Sequence, residues 1–285
     1  MKARLARALL RLFSALPFRI AQGGGALLGW LHWPLPTQAR QTSAANLARC
    51  YPQLETRARR RLVRDSLVEM GRTFAESAWL WRRSGPQVMA LVREVRGREC
   101  LVEARRAGRG VLLATPHIGS WELAGAACGQ EVPLTVMFRP PRVEGLGQVL
   151  LAARTRLGMQ PVPTDVGGIR ALHRALQHGE GIGLLPDQRP QAGHAVDAAF
   201  FGHSVPTMTL LSRFARRHQA PVIIVVMERL PRGRGFRLHY WRAEDAVADP
   251  DLAVAAGAVN REVERAIALA PAQYMWSYRR FRRRK

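Results

Sequence analysis

The feature that most constrains the fold is an alternation of apolar runs and helical stretches through the middle of the chain. Candidate buried strands lie at 111–114, 134–138, 181–185 and 221–227. Helical stretches around 147–157, 168–178 and 207–218 separate them. Strands that alternate with helices predict an α/β fold with a mostly parallel central sheet flanked by helices. Functional residues are then expected where these strands end.

The first 40 residues predict a helical segment that binds a membrane surface. Arg4, Arg7, Arg11 and Arg19 stand among leucines, and no acidic residue precedes Glu55. This pattern is typical of a helix lying on an anionic bilayer, although an ordinary amphipathic core helix has a similar pattern. The apolar stretch at 20–33 follows Pro17 and Arg19, whereas a spanning helix needs about 20 clean apolar residues. We therefore expect an in-plane or shallow anchor over residues 1–40.

The charge of the chain favours a polyanionic partner, although a genome rich in arginine codons could also account for part of it. Lys and Arg number 44 against 21 Asp and Glu, which gives a net charge of +23. Anionic lipid, an acidic protein and nucleic acid all fit this charge. The chain lacks zinc-finger spacing, RNP-like aromatic motifs and basic-zipper heptads, so a nucleic-acid partner is not expected despite the basic tail at 279–285. Its three cysteines show no disulfide framework, which favours a reducing compartment.

A histidine and a glutamate directly after the 111–114 strand predict acid–base chemistry. They are His117 and Glu122, with Pro116 and Gly119 supplying a turn that could bring them together. A carboxylate on one ring nitrogen fixes the tautomer and leaves the other nitrogen free to take a proton from a hydroxyl. No Gly-x-Ser-x-Gly elbow surrounds Ser120, so the attacking hydroxyl is expected to belong to the substrate. A zinc site is not expected, because no third ligand stands at a suitable spacing.

An ordered series of motifs along nearly the whole chain resembles the lipid A late acyltransferases, the lauroyl/myristoyl branch of the lysophospholipid-acyltransferase-like superfamily. The series comprises Leu16-Pro17, Asn46-Leu47, Tyr51-Pro52, Thr115-Pro116-His117 with Trp121-Glu122, Phe138-Arg139-Pro140, Arg154-Thr155-Arg156, Leu185-Pro186-Asp187-Gln188, Phe200-Phe201-Gly202 and the run from Pro271 to Phe281. It is far more specific than the histidine motif alone.

The resemblance implies an acyltransferase domain at 41–285, with His117 as general base and Glu122 as its orienting carboxylate. The acceptor would be a hydroxyl of a lipid A precursor, and the donor a fatty acyl thioester on acyl carrier protein, an acidic partner. Neither a cofactor nor a metal is expected. The enzyme would work at the cytoplasmic face of the cell inner membrane.

Four further residues are candidate substrate-binding groups. Arg139, Arg154 and Arg156 could hold phosphate or the developing oxyanion, because guanidinium groups bind such oxygens bidentately; solvated or scaffold arginines are the alternative. Asp187 follows the 181–185 strand and matches an acidic site of the family, although it could instead pair with an arginine.

Three other interpretations stay open at this point. The acceptor could be another glycolipid or an aminolipid, the protein could be a basic nucleic-acid-binding protein, or it could be a membrane scaffold that has lost catalysis. The sequence departs from the resemblance at Ser277-Tyr278 and at 141–144, and a change of acceptor or of chain length would account for these departures.

Overall fold

The computed structural model describes residues 2–141, 146–190 and 195–281, with side chains from residue 8 onward. The side chains of Arg4 and Arg7, most of the 141–144 departure and the basic positions 282–285 lie outside the described residues. The helices are α1 Lys2–Ala15, α2 Phe18–Leu31, α3 Gln38–Cys50, α4 Thr56–Leu80, α5 Gly85–Met89, α6 Arg98–Arg106, α7 Trp121–Glu131, α8 Leu146–Arg156, α9 Val166–Gln177, α10 Leu210–His218 and α11 Leu252–Leu269. The strands are β1 Val92–Arg96, β2 Val111–Ala114, β3 Leu134–Phe138, β4 Met159–Pro163, β5 Gly181–Leu184, β6 Ala195–Phe200, β7 His203–Met208, β8 Val222–Arg229 and β9 Phe236–Arg242.

A seven-stranded sheet in the order β1-β9-β8-β2-β5-β3-β4 forms the centre of the molecule. Only β8 and β9 pair antiparallel among these neighbours, and the other pairs are parallel. A separate antiparallel hairpin is formed by β6 and β7. The expected mostly parallel α/β sheet is confirmed.

The central strands are apolar because helices cover both faces of the sheet. In β2, Leu112 and Ala114 belong to the core that α9, α10 and α11 cover, while Val111 and Leu113 belong to the core on the opposite face. Successive residues of a strand point to opposite faces, so a strand buried on both sides reads as a continuous apolar run. This is why β2, β3, β5 and β8 could be predicted.

One predicted boundary is wrong. The helical stretch expected at 207–218 begins only at Leu210, because Thr207 and Met208 belong to β7. Their side chains follow the strand alternation, and buried Thr207 accepts a hydrogen bond from Arg280 at 3.0 Å. A polar contact to a distant residue cannot be read from local periodicity.

The N-terminal helices pack onto α4 by close backbone contact. A Cβ at Gly25 or Gly29 of α2 would collide with α4 backbone, and one at Gly71 would collide with α2 backbone. Small residues at these crossings let the two helix axes approach. Pro17 lies at the start of α2 and separates it from α1. Within the described residues, no helix is both long enough and apolar enough to cross a membrane.

Candidate active site

The loop between β2 and α7, residues 115–120, carries His117; we call it the histidine loop. Its conformation depends on Gly119, which has a φ of +59° and lies so close to the Met227 carbonyl that a side chain would collide with it. The Gly119 amide donates to the Gln273 carbonyl at 3.1 Å, and the Met275 amide donates to the His117 carbonyl at 3.0 Å. Neighbouring segments therefore hold the loop from both sides.

The register of the sheet places Asp187 opposite His117. β2 and β5 pair in parallel with Ala114 beside Leu184. His117 and Asp187 each stand three residues beyond this pair, so both occupy the carboxyl edge of the sheet.

Asp187 binds His117 through both carboxylate oxygens. The Nδ1 atom of His117 lies 2.8 Å from Oδ1, and the backbone amide of His117 donates to Oδ2 at 3.1 Å. The double contact fixes the ring and assigns its proton to Nδ1, because an ionised carboxylate only accepts. The Nε2 atom is then the proton acceptor of the ring.

Asp187 is ionised despite being only 2% exposed. Burial alone would raise the pKa of its carboxyl group. Attraction to an imidazolium at His117 and the hydrogen bonds from its ring and backbone outweigh burial and hold the pKa below its ordinary value. A buried carboxylate kept charged in this way stabilises an imidazolium formed at His117.

The Nε2 edge of the His117 ring lies on the open side of the site. Nε2 lies 3.0 Å from the Gln188 side-chain nitrogen, which donates to it in the tautomer set by Asp187. The ring packs edge-on against Trp121 with centroids 5.1 Å apart. The His117 side chain keeps 14% of its surface exposed. Gln188 therefore occupies the place where a hydroxyl must arrive to give up its proton.

Glu122 lies in the first turn of α7 and pairs with Arg154, not with His117. Arg154 Nη2 donates to Oε1 at 2.5 Å and its Nε donates to Oε2 at 3.3 Å. The expected contact between Glu122 and the His117 ring is thus replaced by two separate pairs, His117 with Asp187 and Glu122 with Arg154. The physical reason is that α7 begins at Trp121 and directs Glu122 toward α8, while β5 brings a closer carboxylate to the ring.

A narrow apolar cavity adjoins the second pair. Glu122, Trp121 and Arg154 form part of its wall near the histidine loop. The rest of its lining is mostly apolar and includes Leu113, Leu134, Met159 and Cys128. Gly125 leaves room here, since a Cβ at this position would lie 3.0 Å from the Met159 sulfur. Its volume is only about 50 Å³, so the cavity would have to widen before it could take a hydrocarbon chain.

The other two predicted arginines take different positions. Arg139 follows β3 at the same edge of the sheet and is exposed. Arg156 donates to the Trp81 and Arg83 carbonyls, at 2.5 and 3.1 Å, and so satisfies the C-terminal end of α4. Arg156 is thus the scaffold arginine of the three, and the structure does not bring it to His117.

The site also contains contacts that sequence reasoning missed. Besides Gln188, the C-terminal segment supports it: Asn46 donates to the Trp276 and Tyr278 carbonyls, and the Tyr278 hydroxyl accepts from the Arg189 amide. The motifs that carry the family resemblance contain Gln188, Asn46 and Trp276, whereas Arg189 lies outside them and Tyr278 stands at a departure from the family; the mutual contacts are visible only in the fold. In the described part of the chain, no three His, Cys, Asp or Glu side chains cluster closely enough to hold a metal ion.

A carboxylate–histidine pair at the carboxyl edge of a parallel sheet, beside a narrow apolar cavity, is suited to proton transfer on a bound substrate. Comparison with known proteins specifies the class. The family described as bacterial lipid A biosynthesis acyltransferase matches residues 3–283. The chain belongs to this family and is an acyltransferase of lipid A biosynthesis.

Named relatives agree with this assignment. The lipid A biosynthesis palmitoleoyltransferase of Escherichia coli (strain K12) is 27% identical over 278 residues, which cover 96% of this chain and 88% of the relative. The lipid A biosynthesis lauroyltransferase of the same organism is 28% identical over 277 residues, with 94% and 87% covered. A lipid A biosynthesis acyltransferase of Haemophilus influenzae is 25% identical over 279 residues, with 97% and 86% covered.

Proposed function

We propose that the protein transfers a fatty acyl group from an acyl carrier protein thioester to a hydroxyl of a lipid A precursor, with His117 as general base and Asp187 as its orienting carboxylate. The observation that carries this proposal is the double hydrogen bond from Asp187 to the ring and the backbone of His117. It leaves Nε2 as the only ring atom able to accept a proton.

The reaction then runs by direct attack of the acceptor. The hydroxyl displaces the Gln188 amide from Nε2, gives its proton to His117 and forms a bond to the thioester carbonyl carbon. The tetrahedral intermediate collapses with cleavage of the C–S bond. The leaving thiolate takes the proton back from the imidazolium, so the enzyme returns to its starting state. Asp187 stabilises the imidazolium between these steps.

Glu122 and Arg154 are assigned to the acyl donor. In this assignment Glu122 is a positioning residue that holds the guanidinium through two hydrogen bonds. Arg154 Nη1 takes no part in these bonds and is available to a thioester or phosphate oxygen. Arg139, exposed at the same edge, is assigned to a phosphate of the acceptor. Arg156 is given no part in binding, since its donors cap α4.

The apolar cavity is assigned to the acyl chain. Its lining includes Trp121, which packs on His117, and the Glu122–Arg154 pair. In this assignment the thioester carbonyl stands near Nε2 and its hydrocarbon enters the cavity. The cavity, now about 50 Å³, would have to widen around the chain, and lining residues such as Cys128 and Met159 would then influence which chain length is accepted.

We place the enzyme at the cytoplasmic face of the cell inner membrane, with residues 1–40 as its membrane-anchoring segment. The basic and apolar residues of this segment support the assignment, as does the lipid nature of the acceptor. An acidic carrier protein would be attracted by the charge of +23. Another glycolipid or an aminolipid as acceptor is the alternative, since the same chemistry would serve it.

An in vitro transfer assay tests the proposal. Purified protein is incubated with a radiolabelled lipid A precursor and carrier proteins bearing acyl chains of several lengths. His117→Ala should abolish transfer. The matched control, His178→Ala, changes an exposed histidine at the end of α9, next to the amino edge of the sheet, and should keep full activity. Transfer by the His117→Ala protein would contradict the mechanism, and no transfer by the folded unmutated protein would redirect the search to other acceptors.

A further inference from the structure

α2 presents a row of apolar side chains to solvent. Ile20, Leu27, Trp30 and Leu31 are 58%, 56%, 52% and 45% exposed, and Leu35 just beyond the helix is 51% exposed. We call these five residues the apolar stripe. The opposite side of α2 is fixed on α4 by its glycines, so the stripe cannot turn inward to join the core. A large exposed apolar surface of this kind marks an interaction site.

A cluster of arginines lies at the end of the stripe. Trp33 and the first turns of α4 enclose an open cleft of about 550 Å³. Its other lining residues are Thr56, Arg57, Arg60, Arg61 and Arg64. We call it the arginine cleft. Trp33 joins it to the apolar stripe, and Arg40 lies over the Trp33 ring at 5.0 Å from its centroid.

Most of the cleft charge is uncompensated. Arg64 pairs with Asp65 at 2.8 Å. Within the described residues, the side chains of Arg57, Arg60 and Arg61 form no ion pair with a carboxylate, whereas Arg64 and Arg72 on the same helix each do. Like charges on adjacent positions of a helix repel each other, and bound phosphate groups would remove that repulsion.

We propose that the arginine cleft binds the phosphate headgroups of an anionic phospholipid bilayer while the apolar stripe enters its interfacial layer, so that α2 lies in the plane of the membrane. The combination selects this partner: an acidic protein would need the arginines but not five exposed apolar side chains. Tryptophan at the boundary between the two surfaces fits the headgroup level of a bilayer.

The placement also brings the membrane close to the site. Arg64 and Thr73 are nine residues apart on α4, a rise of about 14 Å. Thr73 donates to the Gly119 carbonyl of the histidine loop at 3.3 Å. The inference deepens the proposed function, since it states which face of the enzyme meets a lipid acceptor, but its test does not depend on acyl transfer.

The first test is sedimentation of the full chain with phosphatidylcholine vesicles, prepared with and without phosphatidylglycerol. Arg57→Gln/Arg60→Gln/Arg61→Gln should lower the partition coefficient onto the anionic vesicles about 100-fold, at about fivefold for each arginine. The matched control removes the same charge at the amino edge of the sheet, from exposed Arg105, Arg106 and Arg109. The control should lower the partition coefficient onto the anionic vesicles only a few-fold, through the general decrease in net charge.

The second test addresses the apolar stripe. Leu27→Ser/Trp30→Ser should weaken binding to both kinds of vesicle, whereas Val166→Ser/Val254→Ser, which changes two exposed apolar residues elsewhere, should not. Replacement of the three arginines by lysine keeps the charge and should keep most of the binding. Circular dichroism melting of each variant shows that it is folded.

Two results would overturn the inference. One is equal loss of binding by the arginine triple and its matched control. The other is unchanged vesicle binding by the arginine triple together with a raised KM for the carrier thioester, which would make the cleft a site for an acidic protein. If the protein binds vesicles as expected but transfers no acyl group, the proposed function alone would be wrong.

Discussion

Replacement of Asp187 by Asn is the most informative test of the site, because both carboxylate oxygens accept from one residue. The backbone amide of His117 can only donate, so the single oxygen of the Asn side chain is expected to remain there. The amide nitrogen then faces Nδ1, which must become an acceptor. The ring proton moves to Nε2. The substitution therefore reverses the tautomer with little change in shape.

The expected effect on catalysis is large and confined to kcat. A histidine with its proton on Nε2 cannot take a proton from the acceptor hydroxyl. The corresponding Asp→Asn change in a Ser-His-Asp triad lowers kcat about 10⁴-fold. This corresponds to about 5 kcal/mol of activation free energy. The KM values should change little, since Asp187 is only 2% exposed and presents almost no surface to a substrate.

Two measurements together decide the matter. Steady-state transfer gives kcat and KM, and the nitrogen chemical shifts of a ¹⁵N-labelled His117 ring report its tautomer. Glu122→Gln is the comparison: it should also impair transfer, through Arg154, but leave the proton on Nδ1. A kcat for Asp187→Asn within about tenfold of the unmutated value would refute the reasoning. So would a tautomer change in the Glu122→Gln protein.

Three further results are expected. Gly125→Leu should shift transfer toward shorter acyl chains, because the new side chain fills the cavity against Met159; an unchanged preference across carrier proteins of several chain lengths would exclude this cavity as the acyl site. Glu76→Ala should lower the free energy of unfolding by about 3–5 kcal/mol in urea titrations, because it removes a partner of buried Arg229, whereas Glu94→Ala at an exposed pair should have a far smaller effect. The rings of His173 and His218 are in contact, with Nδ1 and Nε2 2.7 Å apart. Burial, and then the charge of Arg217, lower the pKa values of both residues. The native state therefore binds fewer protons than the unfolded chain below pH 6.5. Stability should therefore be lost as the pH falls from 6.5 through the lowered pKa values, and a urea midpoint of the His218→Phe protein that falls as steeply would contradict this.

The strands that the sequence predicts are those buried on both faces. β2 and β8 are buried along nearly all their length, so their composition alone predicts a strand. β1 is almost entirely exposed, with the sequence VREVR, and β4 contains two prolines. Their strand conformation comes from pairing with β9 and β3. Such pairing is a tertiary effect that outweighs local propensity.

The sequence predicts which residues belong to the site more completely than it predicts which of them contact each other. His117 and Asp187 were both expected at strand ends, and the resemblance identified Glu122 and Arg154. Both the turn after the 111–114 strand and the family resemblance indicate Glu122 as the partner of His117. The carboxylate that contacts the ring comes from β5, which lies beside β2 although 70 residues separate His117 from Asp187. Adjacency of parallel strands is set by the whole topology, and no local pattern contains it.

A buried cluster connects the proposed membrane face to the histidine loop. Gln22 of α2 donates to Glu76 at 2.6 Å, and Arg229 at the end of β8 pairs with the same carboxylate. Arg229 also donates to Thr73 at 3.0 Å, and Thr73 in turn reaches the Gly119 carbonyl. Each of these groups would be costly to leave unpaired inside the protein, so the cluster favours one relative placement of α2, α4 and the loop. Under the proposed membrane placement this constraint matters, because the height of His117 above the membrane would decide which hydroxyl reaches Nε2.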